Sequence, residues 1–267
     1  SQKTYPMNDL TSLISCVDKL HKGRVLCIGD VMLDRFVYGN VERISPEAPI
    51  PVFQILSDAV MLGGAGNVAR NIAGLGGKTR FISVIGNDQA GRQLTTQIGK
   101  LENLDARLIT DSNRKTSIKT RYIASGQQMM RADEETISPI GADIKKMVLE
   151  AALLGLEDFS ALVLADYGKG ILCTGIAGEL IQIARLRKIP VIVDPQGNNY
   201  DKYMGATLVT PNRKELADAI GLPTTSTEEI VSAAAQLARQ SGIDAVLATR
   251  SSDGMTLVRN ADNYNHF

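Results

Sequence analysis

The stretch Val25-Leu-Cys-Ile-Gly-Asp30 decides the fold, because a short apolar run ends abruptly in a carboxylate. Such runs are typical of parallel strands that helices cover on both faces. Four more runs follow the same pattern, at residues 161–166, 190–194, 207–212 and 245–250. Between several of them apolar residues recur at helical spacing, as at Ile176, Leu180 and Ile183. This alternation predicts an α/β fold with a doubly wound, mostly parallel sheet flanked by helices.

Each of the five predicted strands ends in a polar residue. In doubly wound sheets, ligands bind at the carboxyl ends of the strands. We therefore expect a binding site at the edge formed by Asp30, Asp166, Asp194, Asn212 and Arg250.

Two segments fall outside the alternation of strands and helices. Residues 35–56 contain two β-like pieces separated by a proline-rich stretch, and residues 114–132 contain two more around Ser125-Gly126. We expect them to form a small second sheet, which is either an edge decoration or a lid that closes over a substrate. Further along, Thr225-Ser-Thr-Glu228 predicts a capping box that opens a helix ending near Arg239. The whole chain, residues 1–267, is interpreted as one domain.

The composition excludes several classes of protein. The 29 basic and 29 acidic residues cancel, which argues against a nucleic-acid or anionic-membrane partner. No run approaches the roughly 20 apolar residues of a membrane helix, and the first 20 residues lack the apolar region of a signal peptide. Two histidines and three cysteines without a CxxC pair supply little for zinc or triad chemistry. These features predict a cytoplasmic enzyme or binding protein for a small molecule.

The run Gly63-Gly-Ala-Gly-Asn-Val-Ala69 opens a predicted helix. Its glycines let a ligand approach the backbone, and the start of a helix favours anions and hydroxyl oxygens. Two other interpretations stay open, a loose dinucleotide fingerprint and a tight turn with no ligand. Gly77-Lys-Thr79 is not a phosphate-binding P-loop, because Ile72 stands where that motif requires its first glycine.

Three further motifs each have a functional and a structural interpretation. Lys169, in a glycine-rich loop, is suited to reach a phosphate or to lie in solvent. Asn212 and Glu215 are typical of a helix capping box, and Glu215 is also suited to hold hydrated magnesium. Thr249-Arg250 with Gly254 either flanks a nucleotide or forms a turn.

The predicted second sheet carries two arginines with the same ambiguity. Arg121 and Arg131 are suited to bind a phosphorylated substrate through paired hydrogen bonds, or they are charges on an exposed edge strand.

Taken together, these pieces resemble the ribokinase-like (PfkB) family of carbohydrate kinases over nearly the whole chain. Within that family, residues 29–35, 43–49 (Arg-Ile-Ser-Pro-Glu-Ala-Pro) and 166–170 are similar to the members that phosphorylate a heptose 7-phosphate in lipopolysaccharide-precursor synthesis. The resemblance implies a ribokinase-like fold with a small β-sheet lid, ATP and Mg²⁺ as cofactors, and a homodimer formed through the lid. It leaves a monovalent cation open as a further cofactor, and an adenylyltransferase domain open as a fusion partner.

The same resemblance implies a role for each matching residue. The sugar phosphate is expected to bind Asp34, Gly63, Gly64, Asn67, Arg121, Gln128 and Arg131. The phosphates and nucleotide of ATP are expected near Lys169, Asn212, Arg213, Lys214, Glu215, Thr249, Arg250 and Gly254. Glu215 is expected to hold the metal through water.

One part of the family pattern is not found in this sequence. Family members carry a Gly-Ala-Gly-Asp motif whose aspartate is the general base, and here Gly64-Ala-Gly66 is followed by Asn67. We expect the base and the C-terminal part of the fold to lie beyond Phe267, and the chain as given to fold over much of its length without activity. Another sugar or nucleoside kinase of this family, and a non-catalytic binding protein on a kinase fold, stay open.

Overall fold

The computed structural model describes residues 14–173 and 175–267. Six α-helices lie wholly within these residues, and with 13 strands they form an α/β fold. The helices are α1 (Ala65–Gly74), α2 (Gln89–Ile98), α3 (Ala142–Leu153), α4 (Ile176–Leu186), α5 (Arg213–Ile220) and α6 (Thr227–Ser241). Among the described residues no helix is long and apolar enough to span a membrane.

Nine strands form the main sheet, in the order β13-β12-β11-β10-β9-β8-β1-β4-β5. The pairs β11·β12 and β12·β13 are antiparallel and the others are parallel. Their bounds are β1 Arg24–Gly29, β4 Lys78–Ile85, β5 Leu104–Thr110, β8 Ala161–Ala165, β9 Val191–Asp194, β10 Leu208–Val209, β11 Val246–Thr249, β12 Met255–Asn260 and β13 Asn263–His266. The doubly wound, mostly parallel sheet predicted from the apolar runs is confirmed.

The second sheet has the order β3-β2-β6-β7, in which β2 and β6 are parallel. Its strands are β2 Val31–Ile44, β3 Pro51–Gly64, β6 Ser117–Ala124 and β7 Gln127–Glu134. We call this sheet the lid sheet. The Ser125-Gly126 turn joins β6 to β7 with positive φ at both residues, as a tight hairpin requires. The first two strands are much longer than the segment 35–56 predicted, because they start and finish directly against the main sheet.

One row of side chains crosses the main sheet on a single face, from Phe81 through Cys27, Val163 and Ile192 to Leu208. Helices α1 and α2 cover its first part and form one apolar cluster with β1, β4 and β5. Helices α3 to α6 cover the opposite face along its length and form the larger cluster. We call β1, β4 and β5 the covered half, and β9 to β12 the open half.

The open half keeps one face half-buried. Ile192, Leu208, Leu247 and Leu257 lie on the side away from α3 to α6, and none of them belongs to either apolar cluster. Their strand neighbours on the other face, such as Val246, are fully buried.

Helix α6 begins one residue later than the sequence predicted. Ser226, not Thr225, is the N-cap, and it shares a capping box with Glu229 instead of Glu228. Glu229 accepts hydrogen bonds from the backbone N–H groups of both Thr225 and Ser226, so both registers offer a cap. In the observed helix, Ile230 is fully buried in the core.

Candidate active site

A cleft of about 540 Å³ opens at the carboxyl ends of β8 to β11. Its polar lining is Asp166, Tyr167, Asp194, Gln196, Thr210, Asn212, Glu215 and Thr249. The structure therefore brings together Asp166, Asp194 and Asn212 of the five strand-end residues, while Asp30 and Arg250 lie outside this lining. A larger hollow of about 680 Å³ lies behind α4, but its surface is mainly apolar and it contains none of the strand ends.

The cleft is anionic. Burial raises the pKa of Asp194, and the nearby Glu215 carboxylate raises it further, while the Tyr167 hydroxyl donates a 3.1 Å hydrogen bond that opposes both effects. No lysine or arginine is found among the described residues that line the cleft. A polyphosphate bound here would meet like charge unless a cation came with it.

The cleft carboxylates suit such a cation only in hydrated form. In the described part of the chain, no three His, Cys, Asp or Glu side chains lie close enough together to hold a metal ion by themselves. Magnesium commonly takes one or two carboxylates and fills its remaining positions with water and substrate phosphate. Asp194 and Glu215 fit that mode.

Asn212 and Glu215 form the capping box that their spacing predicts. The Glu215 N–H donates to Asn212 Oδ1 at 3.0 Å, and the Asn212 N–H donates to Glu215 Oε2 at 2.8 Å. Both residues also line the cleft, so the cap fixes the Glu215 carboxylate at its mouth.

Arg213 and Lys214, between Asn212 and Glu215 in the chain, form ion pairs outside the cleft lining. Arg213 pairs with Asp253, and Lys214 pairs with Asp218 on an exposed turn of α5. Their predicted contact with ATP phosphates stays a prediction.

At the end of β11, one predicted residue lines the cleft and two contact the terminal hairpin instead. Thr249 lines the cleft and forms a bridge with Asn212. Arg250 is buried, and its guanidinium contacts the His266 ring at 2.6 Å. Gly254 has φ +80°, and a Cβ there would lie 1.9 Å from the Phe267 carbonyl oxygen. Arg250 and Gly254 thus hold the terminal hairpin, whereas Thr249 faces the cleft.

The glycine run lies between the lid sheet and α1. A Cβ on Gly63 would come within 2.3 Å of Asp34 Oδ2, so only glycine leaves that carboxylate free to face the run. Gly64 has φ +56° and would meet the Asp30 carbonyl oxygen at 2.4 Å. Asn67, in the first turn of α1, accepts a 2.7 Å hydrogen bond from Arg70. The run begins with the last two residues of β3, which is antiparallel to β2 and lies in another sheet than β4, so the run is not part of the βαβ unit that a dinucleotide fingerprint requires.

Asp34 makes the main ionic contact of this region. Its Oδ1 lies 2.5 Å from Arg121 Nη1, and the Arg121 guanidinium also lies over the Phe36 ring at 5.2 Å. Arg131 faces Arg121 across β6 and β7 and pairs with Asp133 at 2.9 Å. Gln128 lies on the same hairpin and is exposed. A carboxylate beside a guanidinium suits a ligand that carries both hydroxyl groups and a phosphate.

A loop at residues 166–171 lies between this region and the cleft, and one buried carboxylate, that of Asp30, holds its backbone. Asp30, 1% exposed, accepts the N–H groups of Tyr167, Lys169 and Ile171 at 3.0–3.1 Å. Burial raises the pKa of Asp30, and these three hydrogen bonds oppose the shift. Lys169 therefore has a fixed backbone, and its side chain extends toward the lid sheet, where Nζ lies 2.8 Å from Glu135.

The family can be decided at this point, since residues 22–266 match the pfkB family of carbohydrate kinases. The chain belongs to that family. The resemblance drawn from the glycine run, the lid and the Asn212 motif is confirmed.

Curated relatives named bifunctional protein HldE support the same placement in the pfkB family. Those from Rhodospirillum rubrum and Paramagnetospirillum magneticum are 50% and 51% identical, over 94% and 95% of this chain. The match covers 51% and 52% of those proteins, so the chain spans about half the length of the curated relatives it matches.

Solved structures of the family share the fold. Escherichia coli phosphofructokinase-2, in its tetrameric inhibited form, is 20% identical with a TM-score of 0.70, covering 91% of this chain and 78% of that one. Arabidopsis thaliana ribokinase, solved with ribose and ATP, is 16% identical with a TM-score of 0.65, covering 92% and 77%. The ribokinase-like fold with its small second sheet is thereby confirmed.

Sequence reasoning placed Asp166 at the edge of the expected site but missed the residues that pair with it. Asp166 is 4% exposed, and its Oδ2 accepts hydrogen bonds from Lys202 Nζ at 2.7 Å and from the Tyr203 hydroxyl at 2.6 Å. A buried aspartate at a strand end indicates that a cationic or hydroxyl partner is needed, but no spacing rule locates a partner 36 residues away. Glu135 was also missed, because the predicted lid segment stopped at residue 132, and Lys119 was missed because no motif marked it within that segment.

Proposed function

We propose that this chain is the kinase part of an enzyme that transfers the γ-phosphoryl group of ATP to the anomeric hydroxyl of D-glycero-D-manno-heptose 7-phosphate. The products are the 1,7-bisphosphate and ADP, in the synthesis of ADP-heptose for the lipopolysaccharide core. The observation that carries the proposal is the Asp34–Arg121 pair beside Gly63. It combines an acceptor for sugar hydroxyls with a donor for phosphate. The similarity to HldE proteins and the motif at residues 43–49 support the heptose over other sugars.

The two substrates meet across the loop at residues 166–171. ATP would occupy the anionic cleft, where Glu215, held by its cap, and Asp194 would hold hydrated Mg²⁺. Magnesium supplies charge neutralisation to the transferring group. Asp34 and Asn67 orient the sugar, and the lid sheet excludes water above it. Catalysis of this kind depends on alignment and on charge stabilisation, which the fixed backbone of the loop supports.

The chain as given binds its substrates without turning them over. Its 267 residues contain no Gly-Ala-Gly-Asp, the motif that supplies the base in this family. An adenylyltransferase accompanies the kinase in the whole protein, consistent with relatives about twice as long. A coupled assay for ADP release tests whether the chain turns over its substrates. Full kinase turnover by the chain would contradict the expected inactivity.

The protein is a cytoplasmic homodimer that pairs through the lid sheet. Ile44, Ile55 and Leu56 on the long strands β2 and β3 are each 62% exposed, a large apolar area for a monomer surface. Sedimentation velocity gives the mass in solution, and a monomer in the presence of sugar phosphate would contradict the proposal.

Calorimetric titration with heptose 7-phosphate, fructose 6-phosphate and ribose tests the substrate. We expect selective binding of the heptose phosphate and an affinity loss of about tenfold to a hundredfold for Asp34→Asn, because a hydrogen bond to a charged group is lost. Asp58→Asn is the matched control. Asp58 is also a lid carboxylate paired with an arginine, Arg35, but it lies on the opposite face of the sheet. Equal binding of fructose 6-phosphate would assign another sugar kinase.

A further inference from the structure

A chain of ion pairs runs along the lid sheet to the loop at residues 166–171. Asp133 pairs with Arg131 and, through Oδ2, with Lys119 Nζ at 3.0 Å. Glu135 then lies between Lys119 and Lys169 and pairs with both. Lys119 and Lys169 are each only 16% exposed. Two ammonium groups therefore converge on one carboxylate in a largely enclosed position.

Glu135 is held by charge and not by an aligned hydrogen bond. Its Oε2 lies 2.8 Å from Lys169 Nζ and 3.9 Å from Lys119 Nζ, yet this buried oxygen has no well-aligned hydrogen bond. Glu135 follows the last residue of β7, so no strand ladder fixes its backbone. A dianion with three terminal oxygens satisfies two lysines better than one carboxylate oxygen does.

The two lysines are held more firmly. The Lys169 N–H donates to buried Asp30, and its carbonyl accepts a 3.0 Å hydrogen bond from Arg114, so both sides of the residue are anchored. Lys119 lies in β6 and keeps its bond to Asp133 when Glu135 leaves. The movable member of the trio is thus the carboxylate.

The trio also lies next to the sugar residues. In the register of β2 and β6, Lys119 is directly opposite Asp34, the carboxylate assigned to the sugar hydroxyls. Lys119 is therefore one strand spacing from Asp34, so a phosphate held by Lys119 would lie beside the residues assigned to the sugar.

We infer that Lys119 and Lys169 form the subsite for the phosphate group already present on the sugar substrate, and that Glu135 occupies this subsite as an internal competitor until the phosphate displaces it. The inference rests on the proposed function, since it names the part of the sugar-phosphate site that distinguishes a phosphorylated sugar from a free one. Glu135 then acts as a specificity residue. An unphosphorylated sugar cannot displace it.

The direction in which one substitution changes the affinity for heptose 7-phosphate tests the inference. Glu135→Gln removes the competing charge, so we expect heptose 7-phosphate to bind about fivefold more tightly, with no change for unphosphorylated heptose. A carboxylate that only supports the fold would give weaker binding when replaced. Glu134→Gln is the matched control, because the neighbouring glutamate pairs with Ile118 on the opposite face of β7. Calorimetry on the chain measures all three proteins.

Two further arms separate this inference from the proposed function. Lys119→Met is expected to weaken heptose 7-phosphate binding about tenfold without changing the affinity for unphosphorylated heptose. Inorganic phosphate, followed by ³¹P line broadening, is expected to bind Glu135→Gln more tightly than the unmodified chain. Unchanged or weaker phosphate binding by Glu135→Gln, with the fold retained by circular dichroism, overturns the inference. If that variant does not fold, an unchanged affinity of Lys119→Met overturns it. Failure of the unmodified chain to bind heptose 7-phosphate, with the inorganic phosphate result as expected, overturns only the heptose assignment.

Discussion

Two ends of one row of side chains differ in their surroundings. Phe81 and Cys27 are fully buried beneath α1 and α2, whereas Ile192 and Leu208, further along the same face, are half-buried. The cleft lies at this second end, with Val163 and Ile192 in its apolar lining. Helices α1 and α2 cover only the first end of the row, so the second end keeps apolar surface exposed beside the cleft. The covered half is therefore expected to contribute more to stability than the open half, whose exposed face the C-terminal part of the fold would cover.

The largest expected difference between the two halves is in thiol reactivity. Burial raises the pKa of Cys27 to about 12, which leaves very little thiolate at pH 8. A cysteine at position 247 would lie on the same sheet face in the open half. In a Cys16→Ser, Cys173→Ser background, we expect Leu247→Cys to react with Ellman's reagent about 1,000-fold faster than Cys27.

Unfolding in urea is the control for that experiment, because both thiols should then react at similar rates. Equal protection in the folded chain would show that something covers the open face in solution.

The next difference is in stability. Leu94 of α2 is fully buried in the covered half, so Leu94→Ala should lower the free energy of unfolding by about 3 kcal/mol, through lost burial and a residual cavity. Leu247→Ala removes the same atoms from a half-buried position and should cost about 1 kcal/mol or less. Urea unfolding followed by circular dichroism measures both variants. Equal losses would remove the distinction between the halves.

The smallest effect concerns pH at the outer edge of the open half. Burial, and then the Arg250 charge, lower the pKa of His266 from its ordinary value of 6.5. The unfolded chain therefore binds more protons than the folded chain as pH falls through 6.5, so this contribution to stability is present above 6.5 and is lost below it. We expect a slightly lower melting temperature at pH 5.5 than at pH 7.5, with the difference reduced in His266→Gln. An unchanged difference in that variant would assign the pH effect to other groups.

The main sheet could be predicted from sequence because its strands are apolar on both faces. Residues 161–166 and 245–250 each contain the observed strand, with an error of at most one residue at either end. The lid strands were harder, because β2 and β3 mix buried and exposed residues without strict alternation. Val31 to Leu33 are buried, but Glu42 to Ile44 are exposed, and no single period describes both.

Sequence could predict those contacts of the candidate site that join residues close together in the chain. Asn212 and Glu215 are three residues apart on one helix, so their cap could be derived from spacing alone. The Asp166–Lys202 and Lys169–Glu135 pairs join segments more than 30 residues apart, and only the folded sheet brings them together. Arg250 illustrates a contact that spacing does not reveal, since this polar strand end contacts His266 of the terminal hairpin, while its predicted place near the nucleotide stays a prediction.

The way the long lid strands leave the main sheet has a consequence for the exchange of parts between family members. Asp30 is the single residue between the end of β1 and the start of β2, and β3 runs directly into α1 at Ala65. The Ala65 N–H donates to the Asp30 carbonyl oxygen at 3.0 Å, so the 34 residues 31–64 form an excursion whose two ends meet in a single hydrogen bond. A segment from a family member with another substrate can therefore be grafted between these two residues without lengthening or breaking any strand of the main sheet. Such a graft would have to keep the pairing of β2 with β6 and the buried side chains of Val31, Leu33 and Leu62, which attach this first half of the lid to the rest of the molecule.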